Sequence, residues 1–221
     1  MEIGIVGGTG AEGRGLAVRL ARAGARVRLG SRSIDRARAT VDELATVAAG
    51  LTIEPVDNAG AFAAADFVLL TVPFASAAET IAMHAGGIRA GAVAIDVTVP
   101  ILFEKGAPPR LVEVPEGSAA EHVRARLPPQ VPLAVAFKTI PARLLGEVDV
   151  SLDCDELVCG DSDEARRRTI ELVGRLTGLR AVDAGPLEAA RAIERMTLLA
   201  VTLNKRYRSH AARFKVVGIP G

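Results

Sequence analysis

The sequence predicts an α/β protein whose mostly parallel sheet is covered by helices on both faces, and three observations predict it. Short apolar runs alternate with longer segments of helical spacing over the first 100 residues. The apolar runs are nearly continuous rather than alternating with polar residues, as strands buried on both faces require. A glycine cluster, Gly7-Gly8-Thr9-Gly10 with Gly13, stands where the first apolar run meets the first helical pattern.

Residues 3–6, 25–29, 51–55, 67–71 and 92–97 read as strands. Between them, residues 10–23, 34–48 and 76–85 carry apolar positions at helical spacing, with Gly24, Gly50 and Gly86 placed as helix C-terminal glycines. Ser76 with Glu79, Ser118 with Glu121, and Asp161 with Glu164 share the spacing of a capping box, so each pair marks an expected helix start. Residues 100–117 are rich in Pro and Gly without a period and read as a long loop. Residues 131–137 read as a sixth strand and 138–143 as its exit turn, because Pro141 drives Ile140 out of the helical region. A shorter unit follows: an apolar run at 156–159, a helix over 162–176, a strand over 179–183 and a last helix over about 187–207. The expected division is therefore a domain over residues 1–140 and a small C-terminal α/β extension over 141–221.

Composition narrows the functional classes. With 221 residues, 49% hydrophobic and 24% charged, the chain is large enough to bury a core and has no mark of disorder. Its 27 basic residues nearly balance 26 acidic ones, so no global field draws it to nucleic acid or to a membrane surface. Aromatic residues are 3% with no Trp, which leaves little for stacking on bases; no nucleic-acid partner is expected. Cys154 and Cys159 lack the further ligands of a zinc site and read as small core side chains, which fits a reducing cytoplasm. Neither a basic leader nor a long uncharged apolar window is visible, so no membrane association is expected.

The motif Gly8-Thr9-Gly10-Ala11-Glu12-Gly13 fits the G-x-G-x-x-G pattern, follows the first strand and opens the first helix. It makes the expected fold a Rossmann-type doubly wound sheet. Gly8 is read as the turn, Gly10 as the close approach to a pyrophosphate, and Gly13 as the contact between helix and strand. An acidic residue that would hold a ribose 2′-hydroxyl is missing after the second strand. Ser31, Arg32 and Arg36 stand there instead, which favours the 2′-phosphate of NADP(H). A solvated helix face is the alternative reading of the two arginines.

Ligands in such sheets sit beyond the carboxyl ends of the strands, so Thr71-Val72-Pro73, Thr98-Val99-Pro100 and the segment from Lys138 to Ala142 are expected to line the site. They carry little chemistry. His84, His122 and His210 fall on separate elements and form no triad or metal cluster. Hydride transfer suits such a site, because the cofactor supplies the redox chemistry and the protein aligns donor and acceptor.

Seven segments carry a resemblance: Gly7-Gly8-Thr9-Gly10 with Gly13, Gly30-Ser31-Arg32, Leu70-Thr71-Val72-Pro73, Gly117-Ser118-Ala119-Ala120-Glu121, Thr139-Ile140-Pro141-Ala142, Val158-Cys159-Gly160-Asp161 and Asp183-Ala184-Gly185-Pro186-Leu187. Through them the chain resembles, over essentially its full length, the NADP-dependent reductases of coenzyme F420, an 8-hydroxy-5-deazaflavin hydride carrier. The resemblance implies a nucleotide domain followed by a small C-terminal domain, with the two rings stacked between them. It implies that Thr9, Gly10, Ala11, Glu12, Ser31, Arg32 and Arg36 hold NADP, and that Val72 and Ala142 border the nicotinamide; Pro73, beside Val72, is a further expected cofactor-binding residue. It further implies that Lys138 and Ile140 contact the deazaflavin and that the protein is a homodimer.

The sequence departs from the family at Lys138, where a His precedes Thr-Ile-Pro in the related pattern. Lys138 is the one candidate catalytic residue, a cation that stabilises charge on the ring being reduced; an exposed lysine at a strand end is the alternative. The run Lys205, Arg206, Arg208, Arg213 and Lys215 reads either as a complement to the last helix or as a receiver of an anionic cofactor tail. Two other functions stay open at this point: an NADPH-dependent reductase of a small carbonyl or imine, and a non-catalytic NADP(H)-binding redox sensor.

Overall fold

The apolar runs become strands because both faces of the sheet are roofed by helices, so side chains of the central strands are almost all buried, while the edge strands at 53–57 and 179–186 stay partly exposed. In the computed structural model, which describes residues 1–219, the first half runs β1 (Glu2–Val6), α1 (Ala11–Arg22), β2 (Arg26–Ser31), α2 (Ile34–Leu44), β3 (Ile53–Asp57), α3 (Asn58–Phe62), β4 (Phe67–Leu70), α4 (Phe74–His84) and β5 (Val93–Asp96). A two-residue hairpin follows, β6 (Ile101–Leu102) and β7 (Arg110–Leu111), then α5 (Ala119–Arg124), β8 (Leu133–Val135) and α6 (Ala142–Gly146). The chain ends with β9 (Cys154–Gly160), α7 (Asp163–Val173), β10 (Leu179–Pro186) and α8 (Ala190–Tyr207).

Eight strands form one sheet in the order β10-β9-β8-β5-β4-β1-β2-β3. Every neighbouring pair is parallel except β8 and β9, where the chain enters the sheet reversed. The fold is thus a doubly wound, mostly parallel α/β sheet, as the sequence predicts. The strands beyond residue 140 extend the same sheet through the antiparallel step at Ala134 and Gly160. Two apolar layers result. One gathers Ile5, Leu16, Leu20, Leu145 and Leu172 under α1, α2, α6 and α7. The other gathers Phe62, Ile81, Val123 and Ile193 under α3, α4, α5 and α8.

Several local expectations change. Of the capping pairs, Ser118 and Glu121 form: the Ser118 hydroxyl accepts the Glu121 N–H at 3.1 Å and donates to its carboxylate at 2.7 Å. Ser76 lies inside α4, because Pro73 starts that helix with its ring-fixed φ. Ser162 replaces Asp161 as the cap of α7 and accepts the Ala165 N–H at 3.2 Å. Asp161 instead accepts the Leu133 N–H at 3.0 Å and pairs with Arg124 at 2.7 Å. Gly24 closes α1 with φ of 88°, whereas Gly50 lies beyond the end of α2 and Gly86 sits in a 3-10 turn without positive φ. The sixth strand is shorter than expected, since it stops at Val135 and Phe137 takes a left-handed φ of 64°.

Candidate active site

A cleft of about 740 Å³ opens beyond the carboxyl ends of β1, β4, β5 and β8, where the strand order reverses between β1 and β4. Its size falls within the range of small-molecule sites, roughly 300–1,000 Å³. One wall is the first turn of α1, a second is the Lys138–Ala142 segment, and a third is α8 through Thr197, Ala200, Val201 and Asn204.

The phosphate end is built from glycines, with one reassignment. Gly7, not Gly8, makes the turn: its φ is 76°, and a Cβ there would stand 2.6 Å from Val72 Cγ1. Gly8 and Gly13 form the helix–strand contact together, since a Cβ on Gly13 would lie 2.5 Å from Gly8 Cα. Gly10 meets only the Gly7 carbonyl, at 3.7 Å, so its missing side chain leaves room in the cleft rather than in the fold. As the residue before α1 it also offers no capping side chain, so the first-turn N–H groups at Ala11 and Glu12 stay open toward the cleft. Thr9 lines the same end, and the Asn58 carboxamide oxygen accepts the Gly7 N–H at 3.2 Å to fix the turn.

At the end of β2, buried Ser31 accepts the Ser33 N–H at 3.3 Å, and Ser33 caps α2. This turn delivers exposed Arg32 and Arg36 to the cleft. Asp35, the nearest acid, pairs with Arg38 at 3.3 Å rather than with either. The donor set therefore fits a phosphate: two fixed-charge forks and a hydroxyl.

The opposite end is shaped by the segment after β8. Val72, Pro73, Ile140 and Ala142 line it, with Phe74 and Phe103 adding apolar surface. Three contacts hold this segment. Buried Glu156 on β9 accepts the Phe137 N–H at 2.5 Å, which stabilises the left-handed residue. Arg19 of α1 donates to the carbonyls of Leu144, Leu145, Glu147 and Val150 at 2.8–3.0 Å, satisfying the end of α6. Lys138 points inward, donating to Asp96 at 2.6 Å, to Glu194 at 3.1 Å and to the Thr98 carbonyl.

Lys138 is 3% exposed, which corrects the strand-end reading. Burial alone lowers its pKa, but the Asp96 and Glu194 carboxylates outweigh it and hold the ammonium above its ordinary value. Glu194 in turn accepts the Ala119 and Ala120 N–H groups at 3.1 and 3.3 Å, and the Lys138 carbonyl accepts the Thr197 hydroxyl at 3.0 Å. Lys138 thereby fastens α8 and α5 to the cleft floor.

The structure brings Thr9, Gly10, Ala11, Glu12, Ser31, Arg32, Arg36, Val72, Pro73, Lys138, Ile140 and Ala142 to one cleft, while Gly8 and Gly13 lie behind it as packing. Sequence reasoning missed Asn58 and the α8 residues, and it read His210, an exposed cleft residue, as ordinary surface. The basic run divides: Lys215 pairs with Asp153 at 2.6 Å, while Arg206 and Arg208 stand exposed at the end of α8. Among the described residues no helix is long and apolar enough to cross a membrane.

Fold and site define the class as a Rossmann-type dinucleotide-binding protein. The profile of the family described as NADP oxidoreductase, coenzyme F420-dependent, matches residues 2–100. The chain is 38% identical to the F420-dependent NADP reductase of Methanothermobacter thermautotrophicus, over 100% of this chain and 96% of that protein. It is 36% identical to the F420-dependent NADP reductase of Methanothermobacter marburgensis, covering 100% of both. A crystal structure from Arthrobacter sp. FB24 shares the fold, with a TM-score of 0.83 at 23% identity, over 99% of this chain and 100% of that one. The chain belongs to the family of coenzyme F420-dependent NADP oxidoreductases.

Proposed function

We propose that the protein passes a hydride directly between NADP(H) and coenzyme F420. The observation that carries this reading is the cleft itself. It joins a polar end, where Arg32 and Arg36 stand with buried Ser31, to an apolar end lined by Val72, Pro73, Phe74, Ile140 and Ala142. The full-length identity to F420-dependent NADP reductases supports F420 as the partner.

When bound, NADP(H) and F420 supply the redox chemistry. The protein binds, orients and excludes water. Thr9 and the open N–H groups of α1 receive the pyrophosphate, and Ser31, Arg32 and Arg36 receive the 2′-phosphate. Val72, Pro73, Ile140 and Ala142 form apolar walls that would orient the two rings, and orientation would be the main source of rate. Lys138 contributes through its ion pairs, which fix the wall, rather than by presenting its ammonium to the cleft.

In this reading residues 1–140 serve the nucleotide, and residues 141–221 supply the wall for the second cofactor. The protein works in the cytoplasm, without a nucleic-acid partner, as a homodimer. The partly exposed stripe Met196, Leu199 and Leu203 on α8, with Leu199 49% exposed, supports self-association. Reduction of a carbonyl or imine needs a proton donor beside the substrate. Lys138, turned inward onto Asp96, does not present one at the ring end, which favours hydride exchange between two rings instead.

Transfer from NADPH deuterated at the nicotinamide C4 tests the direct step. The account predicts deuterium on the reduced deazaflavin and none in water; label released to solvent contradicts it.

A further inference from the structure

Glu12 stands at the phosphate end of the cleft, and Glu156 lies behind its ring end, hydrogen-bonded to Phe137. Glu12 lies in the first turn of α1 and lines the cleft, yet its Oε1 is sealed from solvent and has no hydrogen-bond partner. Glu156 is 0% exposed on β9; its Oε1 holds the Phe137 N–H, and its Oε2 is likewise sealed and without a partner. A bare, ionised carboxylate oxygen in such a place is strongly disfavoured. Each of the two therefore calls for a proton.

We infer that Glu12 and Glu156 form a proton-holding carboxyl pair that ties dinucleotide binding to pH, with the nucleotide bound to the protonated pair. This rests on the seating of the NADP(H) phosphates at the N-terminus of α1. The physical reason is local. An ionised Glu12 sets a negative charge beside the pyrophosphate at the helix end that is otherwise arranged for an anion. A neutral Glu12 leaves that end attractive.

The surrounding charges agree. Burial, and after it the charge of Glu156, push Glu12 well above the usual carboxylate range. Burial raises Glu156 to about 8, partly opposed by the N–H groups of Phe137 and Lys138, the Thr139 hydroxyl and the Lys138 charge. From the turn after β8, Lys138 is already committed to Asp96 and Glu194. From α7, Arg166 is committed to Asp163 and Asp183, and Arg168 donates to the Gly91 carbonyl. On α1, Arg19 is held by carbonyls, and along β9 the Cys154 thiol is pushed up to about 11 by burial. On the cleft side stand His210 and the permanently charged Arg32, Arg36 and Arg143.

NADPH affinity measured from about pH 7 to 9.5 tests this, in a range where the 2′-phosphate, with a second pKa of about 6, is fully ionised. In the wild type, a shift of about one pKa unit on binding makes the dissociation constant rise about tenfold across the range. The Glu12→Gln, Glu156→Gln double variant keeps the shapes and has no proton to lose, so its affinity is expected to stay flat. A second readout uses the wild type alone: calorimetry near pH 8.5 in buffers of different ionisation enthalpy should show proton uptake on NADPH binding. The same affinity loss in the double variant, or no proton uptake by the wild type, overturns the inference. Failure of the wild type to bind NADPH at any pH overturns the site reading itself, and the inference with it.

Discussion

Lys138 Nζ donates to Asp96 Oδ2 at 2.6 Å with both side chains fully sealed from solvent. Two ions are removed from water here, and the arrangement holds because Glu194 and the Thr98 carbonyl satisfy the remaining ammonium protons. Taking away the cation leaves two carboxylates buried together. Lys138→Met is therefore expected to lower unfolding free energy by about 3–5 kcal/mol, read from urea denaturation. Adding Asp96→Asn should recover part of that loss, because one stranded charge is then gone. A single-variant loss below about 1 kcal/mol would show that the pair does not hold the cleft floor.

Arg32 and Arg36 reach the cleft while Asp35 is taken by Arg38. A charge-assisted hydrogen bond contributes about 1.5–3 kcal/mol, so Arg32→Ala should weaken NADPH roughly 10- to 150-fold. NADH, which lacks the 2′-phosphate, should change far less. Equal losses in parallel fluorescence titrations would place the phosphate elsewhere.

The glycines make a paired prediction. A Cβ on Gly13 would fall 2.5 Å from Gly8 Cα, backbone against backbone, so α1 must move off β1. Gly13→Ala should cost about 1–3 kcal/mol of stability and weaken NADPH, because the first turn of α1 moves with it. Gly86 has nothing within 4 Å of its added Cβ and no positive φ. Gly86→Ala should leave both quantities within about 0.5 kcal/mol of wild type. Equal behaviour of the two variants would remove the packing role of Gly13.

Burial raises Glu156 to about 8 from an ordinary value of 4.5. The folded state therefore holds a proton that the unfolded state has released between those two values, and stability falls as pH rises through that window. The contribution is fully present below about 4.5 and lost once pH passes 8. Glu156→Gln removes the titration while its amide oxygen can still accept the Phe137 N–H. Its denaturation midpoint relative to wild type should rise steadily between about pH 5 and pH 8 and then level off. A constant difference across pH would show that Glu156 does not hold that proton.

Much of the nucleotide half was legible because its signals are local. The glycine cluster, the apolar run before it and the helical spacing after it lie within about one supersecondary unit. Ser31, Arg32 and Arg36 were legible for the same reason. The turn role of Gly7 was not, since Gly7 and Gly8 are adjacent and only backbone φ separates them. The apolar pattern extends the strand through Phe137 because bulky residues rarely adopt positive φ; the Glu156 carboxylate that supports this conformation is 19 residues away. The burial of Lys138 has no local signal for a similar reason, as its partners Asp96 and Glu194 lie 42 and 56 residues distant. α3 and the β6–β7 hairpin are too short to show a period. The α8 wall depends on how the chain returns over the sheet, which no local pattern records.

The central claim is tested most directly by anaerobic mixing of the purified protein with NADPH and coenzyme F420, following loss of the deazaflavin absorption band, with NADH and FMN as parallel controls. The account predicts rapid bleaching of F420 by NADPH, much slower bleaching by NADH, and no comparable reduction of FMN. An F420 band that persists while NADPH is bound would contradict the account and move the hydride acceptor to another class of molecule.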